Sequence, residues 1–292
     1  MRNSAAARIV ALSIVALSAV LVLSSVVVAQ SAAAPQGRGR VKDGFITEGV
    51  PKMPNPPGPA PKQDLSGAWV GPQDRVLGPF PAMTPAGEAR LKMNKPYLGF
   101  QQPKDETPSS NDPFTICDPL GFPRNLLAHA ISFRGGMLFG SAPNRIIINY
   151  EHQRVWREIW MDGRELPKKL DTAGAPDSRY YGYSIGHWDG DHTLVIDTTG
   201  FDERPWLDEN GHPRSTYAHI QERYTRTDQY NMQVTVTVDD PKFYTKPFQF
   251  LKANFYWMKA QEFPETFCIP SEGIEYRDTL AQPSGIKVEA PK

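Results

Sequence analysis

Tyr180-Tyr181-Gly182-Tyr183-Ser184-Ile185-Gly186-His187-Trp188-Asp189-Gly190-Asp191-His192-Thr193-Leu194-Val195-Ile196-Asp197-Thr198-Thr199 places two runs of β-branched and aromatic residues on either side of Asp189-Gly190. Such runs are strands, and Asp-Gly is a favoured two-residue hairpin turn. With Asp189 and Gly190 at the two central turn positions, His187 lies opposite His192, Ile185 opposite Leu194 and Tyr183 opposite Ile196. The other face then carries Gly182, Ser184, Gly186 and Trp188 against Thr193, Val195, Asp197 and Thr199. One face is large and apolar, and the other is small residues around one carboxylate.

Working outward, the same texture predicts strands near 65–70, 131–133, 145–151, 154–161, 217–227, 232–238 and 246–258, about nine in all with the first hairpin. Met232, Val234, Val236 and Val238 alternate with Gln233, Thr235 and Thr237, which gives that strand one apolar and one polar face. No long helical period separates consecutive strands, so parallel crossovers are not expected and the connections are read as mostly antiparallel. The fold class is all-β: an antiparallel up-and-down barrel of about 8–10 strands, with a Pro-rich irregular N-terminal arm and little helix. One short helix is expected from Thr84, with Thr84 as cap and Pro85 at the first helical position.

Composition narrows the class. The 292 residues carry 32 basic and 32 acidic side chains, which argues against nucleic acid as partner, while 40% hydrophobic and 11% aromatic residues suffice for a packed core. Of 28 prolines, 16 fall between Pro51 and Pro123 and exclude long helices there. Residues 1–29 carry Arg2 and Arg8, an uncharged stretch from Ile9 to Val28 and small residues to Ala29, the pattern of an export signal. The alternative is an uncleaved membrane anchor over residues 9–28, since about 20 apolar residues span a bilayer. Cleavage leaves 30 basic against 32 acidic residues. The organisation read from the chain is a signal or anchor over 1–29, a flexible linker over 30–63, and a single barrel domain over 64–292, with the Pro-rich arm and first strand in 64–128 and the meander in 129–270. The location is periplasmic or secreted.

Export gives the two cysteines a meaning. Cys117 and Cys268 are the only pair available, and in an oxidising compartment they close a loop worth roughly 4–5 kcal/mol on the chain-entropy model. The alternative is two buried thiols.

Several side chains are candidates for chemistry. His187 and His192 with Asp189 and Asp191 superficially resemble a metal site, but Asp-Gly-Asp is ordinary turn chemistry and the hairpin supplies no third fixed ligand, so no metal is assigned. Asp197 among Gly and Ser beside Trp188 is a candidate general acid or base with a raised pKa; otherwise its face is simply solvated. The long loop 200–215 gathers Asp202, Trp206, Asp208 and His212, and His is the side chain most easily poised near neutral pH. Its alternative is a surface loop pinned by Trp206 and Pro213. Glu222 joins Asp197 as a second possible carboxylate pair. Trp156 and Trp160 share a strand face with Arg154 and Glu158, opposite Val155, Arg157, Ile159 and Met161. They are read either as core or as a ligand platform with Arg157, Trp188, Trp206 and Tyr183. No nucleophile elbow, phosphate loop or dinucleotide fingerprint is present, and no cofactor is assigned.

Gly67-Ala68-Trp69 resembles the Gly-x-Trp element of lipocalin-like barrels, in which the Trp closes the barrel bottom. A broader resemblance, from about Asp64 to Ser271, is to a family of uncharacterised exported bacterial proteins. It is carried by Ser110-Asn111-Asp112-Pro113, Cys117-Asp118-Pro119-Leu120-Gly121-Phe122-Pro123-Arg124, Trp156-Arg157-Glu158-Ile159-Trp160, Asp162-Gly163-Arg164-Glu165-Leu166-Pro167, Gly182-Tyr183-Ser184-Ile185-Gly186, Thr199-Gly200-Phe201, Trp206-Leu207-Asp208, Gly211-His212-Pro213 and Asp239-Asp240-Pro241-Lys242. The resemblance implies export and no particular activity. Members usually have Arg where this chain has His187, lack His192, and often read His-Pro-His at His212-Pro213-Arg214, which weakens the two-His metal idea. His212, Trp206, Asp208 and Arg157 sit at matching positions.

Three functions follow for this scaffold. The favoured one is a lipocalin-like barrel whose interior binds a small, partly apolar ligand. The second is a cofactor-independent isomerase, lyase or hydrolase using His212 with Asp202 or Asp208, or Asp197 and Glu222. The third is an envelope interaction protein with a packed barrel and no cavity. The partner expected is a small molecule, not nucleic acid, with membrane contact only through residues 9–28 if uncleaved.

Overall fold

A computed structural model describes residues 41–42, 45–46, 56–72, 75–96, 111–130, 136–258 and 268–271. The expected signal over 1–29 and the expected strand at 131–133 lie outside them. The chain divides into two units, Met1–Val50 and Pro51–Lys292. In the first, Val41–Lys42 pairs antiparallel with Phe45–Ile46. The second holds the barrel.

Ten strands form its sheet: β1 Gly67–Val70, β2 Arg75–Leu77, β3 Gly136–Ala142, β4 Arg145–Tyr150, β5 Trp156–Trp160, β6 Tyr183–Asp189, β7 Thr193–Thr199, β8 His219–Arg226, β9 Asn231–Asp239 and β10 Phe248–Met258. They run in the order β1, β3, β4, β5, β6, β7, β8, β9, β10, and β10 pairs back to β1, so nine strands close a barrel. β2 is an extra strand on the edge of β10. The expected closed, mainly antiparallel all-β architecture is therefore present. The helix α1, Pro85–Met93, begins as the sequence reads: Thr84 Oγ1 accepts from the amide of Gly87, and Pro85 occupies the first turn.

One connection departs from the expectation. β5 and β6 are parallel, joined through 161–182 without a helix, and they share only two pairs, Ile159 with Ser184 and Trp160 with Ile185. An irregular excursion rich in Gly and Pro makes the return that a crossover helix usually makes. It re-enters the sheet at Gly182, where φ is 66° and a Cβ would come within 2.6 Å of the Thr199 carbonyl. Glycine is required there on both counts.

The first hairpin also differs. Its turn spans Gly190 to His192, three residues, and Asp189 pairs with Thr193, Trp188 with Leu194 and His187 with Val195. An odd turn length exchanges the faces of one strand relative to the other. Ser184, Gly186 and Trp188 therefore share the inner face with Leu194, Ile196 and Thr198, while Asp197 and Thr199 lie outside with Tyr183, Ile185 and His187. The second hairpin follows its alternation: Met232, Val234, Val236 and Val238 are buried, and Gln233, Thr235 and Thr237 are not.

The barrel axis is filled. Phe139, Ile148, Ile159, Leu194, Ile196, Tyr224, Val234, Val236 and Phe250 are at most 3% exposed and form one cluster. At the bottom Trp69 is fully buried, its Nε1 donates to the Leu65 carbonyl, and the Arg226 guanidinium lies 5.0 Å from its ring centroid. Cys117 and Cys268 are joined in a disulfide, which belongs to an oxidising, extracytoplasmic location. Among the described residues no helix is long and apolar enough to cross a membrane.

Candidate functional site

Tyr181, Tyr183, Trp156 and Trp160 wall a cleft of about 350 Å³ in the barrel side, and Arg157 and Ser184 form part of its lining. Its position follows from the sheet. β5 and β6 meet only at their two-pair register, so residues 155–158 and 179–183, upstream of it, are free to part. The volume falls in the range of about 300–1,000 Å³ typical of small-molecule sites. The room for a ligand is thus at the wall, whereas the sequence reading placed it inside the barrel; the large side chains on the inner faces of β3 to β10 fill that axis.

Beneath the cleft lies a buried polar network. Arg157 points inward from β5 and meets Glu222 of β8 in a two-pronged pair, Nη2 to Oε1 at 2.7 Å and Nη1 to Oε2 at 3.1 Å. Arg157 Nη2 also donates to Ser184 and Thr198 hydroxyls at 2.9 Å, and Nη1 to the Tyr150 hydroxyl at 3.1 Å. Tyr224 donates to Glu222 at 2.6 Å. Burial opposes the charge on Arg157, but the facing Glu222 carboxylate holds its pKa above the ordinary value. Burial raises the Tyr150 and Tyr224 pKa values, and Glu222 adds to the rise, so both phenols stay protonated donors or acceptors. The Phe122 ring lies under the guanidinium, 4.1 Å away.

The cleft walls are partly occupied by their own neighbours. Trp160 has the guanidinium groups of Arg164 at 3.4 Å and Arg145 at 4.2 Å from its ring centroid. Tyr183 carries Arg179 at 4.2 Å and donates its hydroxyl to the Asp177 carbonyl. Burial and the neighbouring Asp118 push Tyr180 up to about 12. Trp156, 69% exposed, is the open aromatic face at the rim.

Of the residues singled out by sequence, the cleft and its floor gather Trp156, Trp160, Tyr183, Arg157 and Glu222. Trp156 and Trp160 do share the outer face of β5, with Arg157 and Ile159 buried on the other. Trp188 instead packs against the core from inside, and Trp206 is 2% exposed beside Arg124. Asp197 lies outside and accepts from His219 Nε2 at 2.9 Å and Gln221 at 3.1 Å. The bond from His219 lowers its pKa, contrary to the raised value expected of a carboxylate in a gap. His187 faces Val195 across the hairpin and His192 sits in the turn with Nδ1 3.1 Å from the Pro61 carbonyl, so the two imidazoles are not side by side.

Loop 200–215 is fastened by its own polar groups. Asp208 accepts from His212 Nδ1 at 2.7 Å and from the amides of Asn210 and His212, and Phe80 stacks on the imidazole at 3.7 Å. Burial works against the Asp208 charge, yet the His212 bond keeps its pKa below the usual range. Asp202 pairs with Arg204, and buried Arg214 donates to the Phe122 and Asp202 carbonyls. His212 and Asp208 do converge, but neither is among the residues lining the cleft. Their geometry is that of a loop staple.

Sequence reasoning missed Arg179, Tyr181 and Ser184 as lining residues. The available signal was the run Arg179-Tyr180-Tyr181-Gly182-Tyr183, three phenols around a glycine, which was absorbed into a strand. Compared with protein-family models and with curated proteins, the chain matches none.

Proposed function

We propose that this protein is an exported binding barrel that takes a small, partly apolar molecule into the cleft between β5 and β6. The observation that carries this reading is the aromatic-walled, 350 Å³ opening that coincides with the least-paired place in the barrel wall. The buried Arg157–Glu222 network supports it by giving the opening a fixed floor, since four side chains, one each from β4, β6, β7 and β8, hold the guanidinium in one orientation. Export rests on the signal-like residues 1–29, on the resemblance to exported bacterial proteins, and on the disulfide.

The test is native mass spectrometry of the protein purified from its own cell envelope, wild type beside Trp156→Ala. Trp156 is exposed, so its loss leaves the core intact. A bound small-molecule mass carried by the wild type and reduced in the variant is the expected result. Equal retention in both proteins would place the ligand elsewhere, and a bare chain that also fails to shift its Trp156 indole resonance with any fraction of an envelope extract would end the binding reading.

A further inference from the structure

We propose that the ligand of the cleft is a small monocarboxylate on a planar apolar body, the class of aromatic and arylalkenoic acids. This deepens the binding reading above and rests on it.

Several of the acceptors are engaged. Glu158 accepts from Arg145 at 2.7 Å, and the Ser184 hydroxyl lies between Arg157 and Thr198, each at 2.9 Å. The Tyr183 hydroxyl is committed to the Asp177 carbonyl at 2.7 Å. Two donors remain. Arg157 Nε is buried with no hydrogen-bond partner, in a residue 3% exposed that lines the cleft. Arg179, also lining it, holds its guanidinium 4.2 Å from the Tyr183 ring centroid and forms no ion pair among the described residues. Guanidinium N–H groups without a partner favour a ligand that brings acceptors.

Charge points the same way. Glu222 neutralises Arg157 and Arg145 neutralises Glu158, so among the described residues the lining keeps one uncompensated positive charge, on Arg179. One surplus cation matches a monoanion. A guanidinium held against an aromatic ring has less ordering left to do, and its planar fork fits a carboxylate bidentately. The remaining wall, Trp156 and Tyr181, offers ring faces and edges to a flat apolar body.

The experiment uses the disulfide-bonded mature chain with two matched probes, trans-cinnamate and its neutral primary amide, followed through the Trp156 indole N–H resonance and by calorimetry. Cinnamate is expected to shift that resonance and to bind at least about tenfold more tightly than the amide. Arg179→Gln, at an exposed position and checked for native circular dichroism, is expected to bring the two affinities together, and Arg179→Lys to keep part of the preference. If the amide binds as well as the acid at Trp156, the carboxylate class is wrong while the cleft remains a binding site. If neither probe binds but an envelope molecule shifts Trp156, the class is again overturned and the site again stands. If neither probe nor any extract fraction touches Trp156, both readings fall.

Discussion

β9 is paired along both edges, through eight antiparallel pairs to β8 and eight to β10, and it turns Met232, Val234, Val236 and Val238 into a dry interior. The seam between β5 and β6 has two parallel pairs, and the side chains it turns inward include Arg157 and Ser184. Where the ladder is complete the wall is sealed, and apolar side chains suffice behind it. Where the ladder is shortest the wall opens into a cleft, and the interior behind the opening is an ion pair with four hydroxyl groups around it. Function in this barrel is therefore sought where pairing fails, because there inner polar groups and outer surface meet.

The strongest way to break the contrast is Glu222→Ala, which leaves the Arg157 charge buried with no carboxylate. A loss of about 3–5 kcal/mol in urea unfolding is expected, and the double change Arg157→Met with Glu222→Leu should recover most of it. If the double variant stays as unstable as the single one, the network is needed for folding and not only for the cleft. Next comes Gly182→Ala, which forces a side chain into a left-handed residue against the Thr199 carbonyl. The strain alone costs roughly 1–2 kcal/mol, and amide exchange at 183–185 should rise while exchange in β9 is unchanged. An equal rise in β9 would mean that the seam and the sealed wall open as one unit. On the sealed side, Ile220→Val removes one methylene from a fully buried side chain paired with Val238 of β9 and should cost about 0.5–1.5 kcal/mol, with cinnamate binding unaltered.

The smallest effect concerns the outer pair of Asp197 and His219. The Asp197 bond raises the His219 pKa above 6.5, so its contribution is full below 6.5 and fades as pH rises through the folded value. The same bond lowers the Asp197 pKa below 3.8, so that contribution is present above 3.8 and fades as pH falls through the lowered value. The pair thus supports the fold most between the two, and its partial exposure limits it to a few tenths of a kcal/mol. Melting temperatures of wild type and Asp197→Asn should converge in alkaline buffer and separate near pH 5–6; parallel curves over that range would show that the pair contributes nothing.

How much of this was legible depends on whether a residue's fate is set by its near neighbours. β9 was readable because its alternation is unbroken, β7 because Thr193-Leu194-Val195-Ile196 is a compact run rich in β-branched residues, and α1 because Thr84-Pro85 is a local start signal. β3 was not, since Gly136-Met137-Leu138-Phe139-Gly140-Ser141-Ala142 holds no β-branched residue, and β2 is three residues between irregular segments. The faces of the first hairpin were misassigned because a two-residue and a three-residue turn fit the same Asp-Gly-Asp letters while differing in parity. The Arg157–Glu222 pair joins strands far apart in the chain. Its trace was there, an Arg beside Ile159 on the buried face of β5 and a Glu between Ile220 and Tyr224 on that of β8, but neither strand names the other. Loop 200–215 misled for the opposite reason: its acids and His satisfy one another locally, which looks from the letters like a gathering of reactive groups.

The disulfide has a topological consequence. Cys117 and Cys268 enclose β3 through β10 in one covalent ring, with β1, β2 and α1 outside it. A protease that nicks the irregular 161–182 excursion at the edge of the cleft would cut a ring and not a chain. Both pieces would stay attached, and nicked protein would part into two bands on a denaturing gel only after reduction.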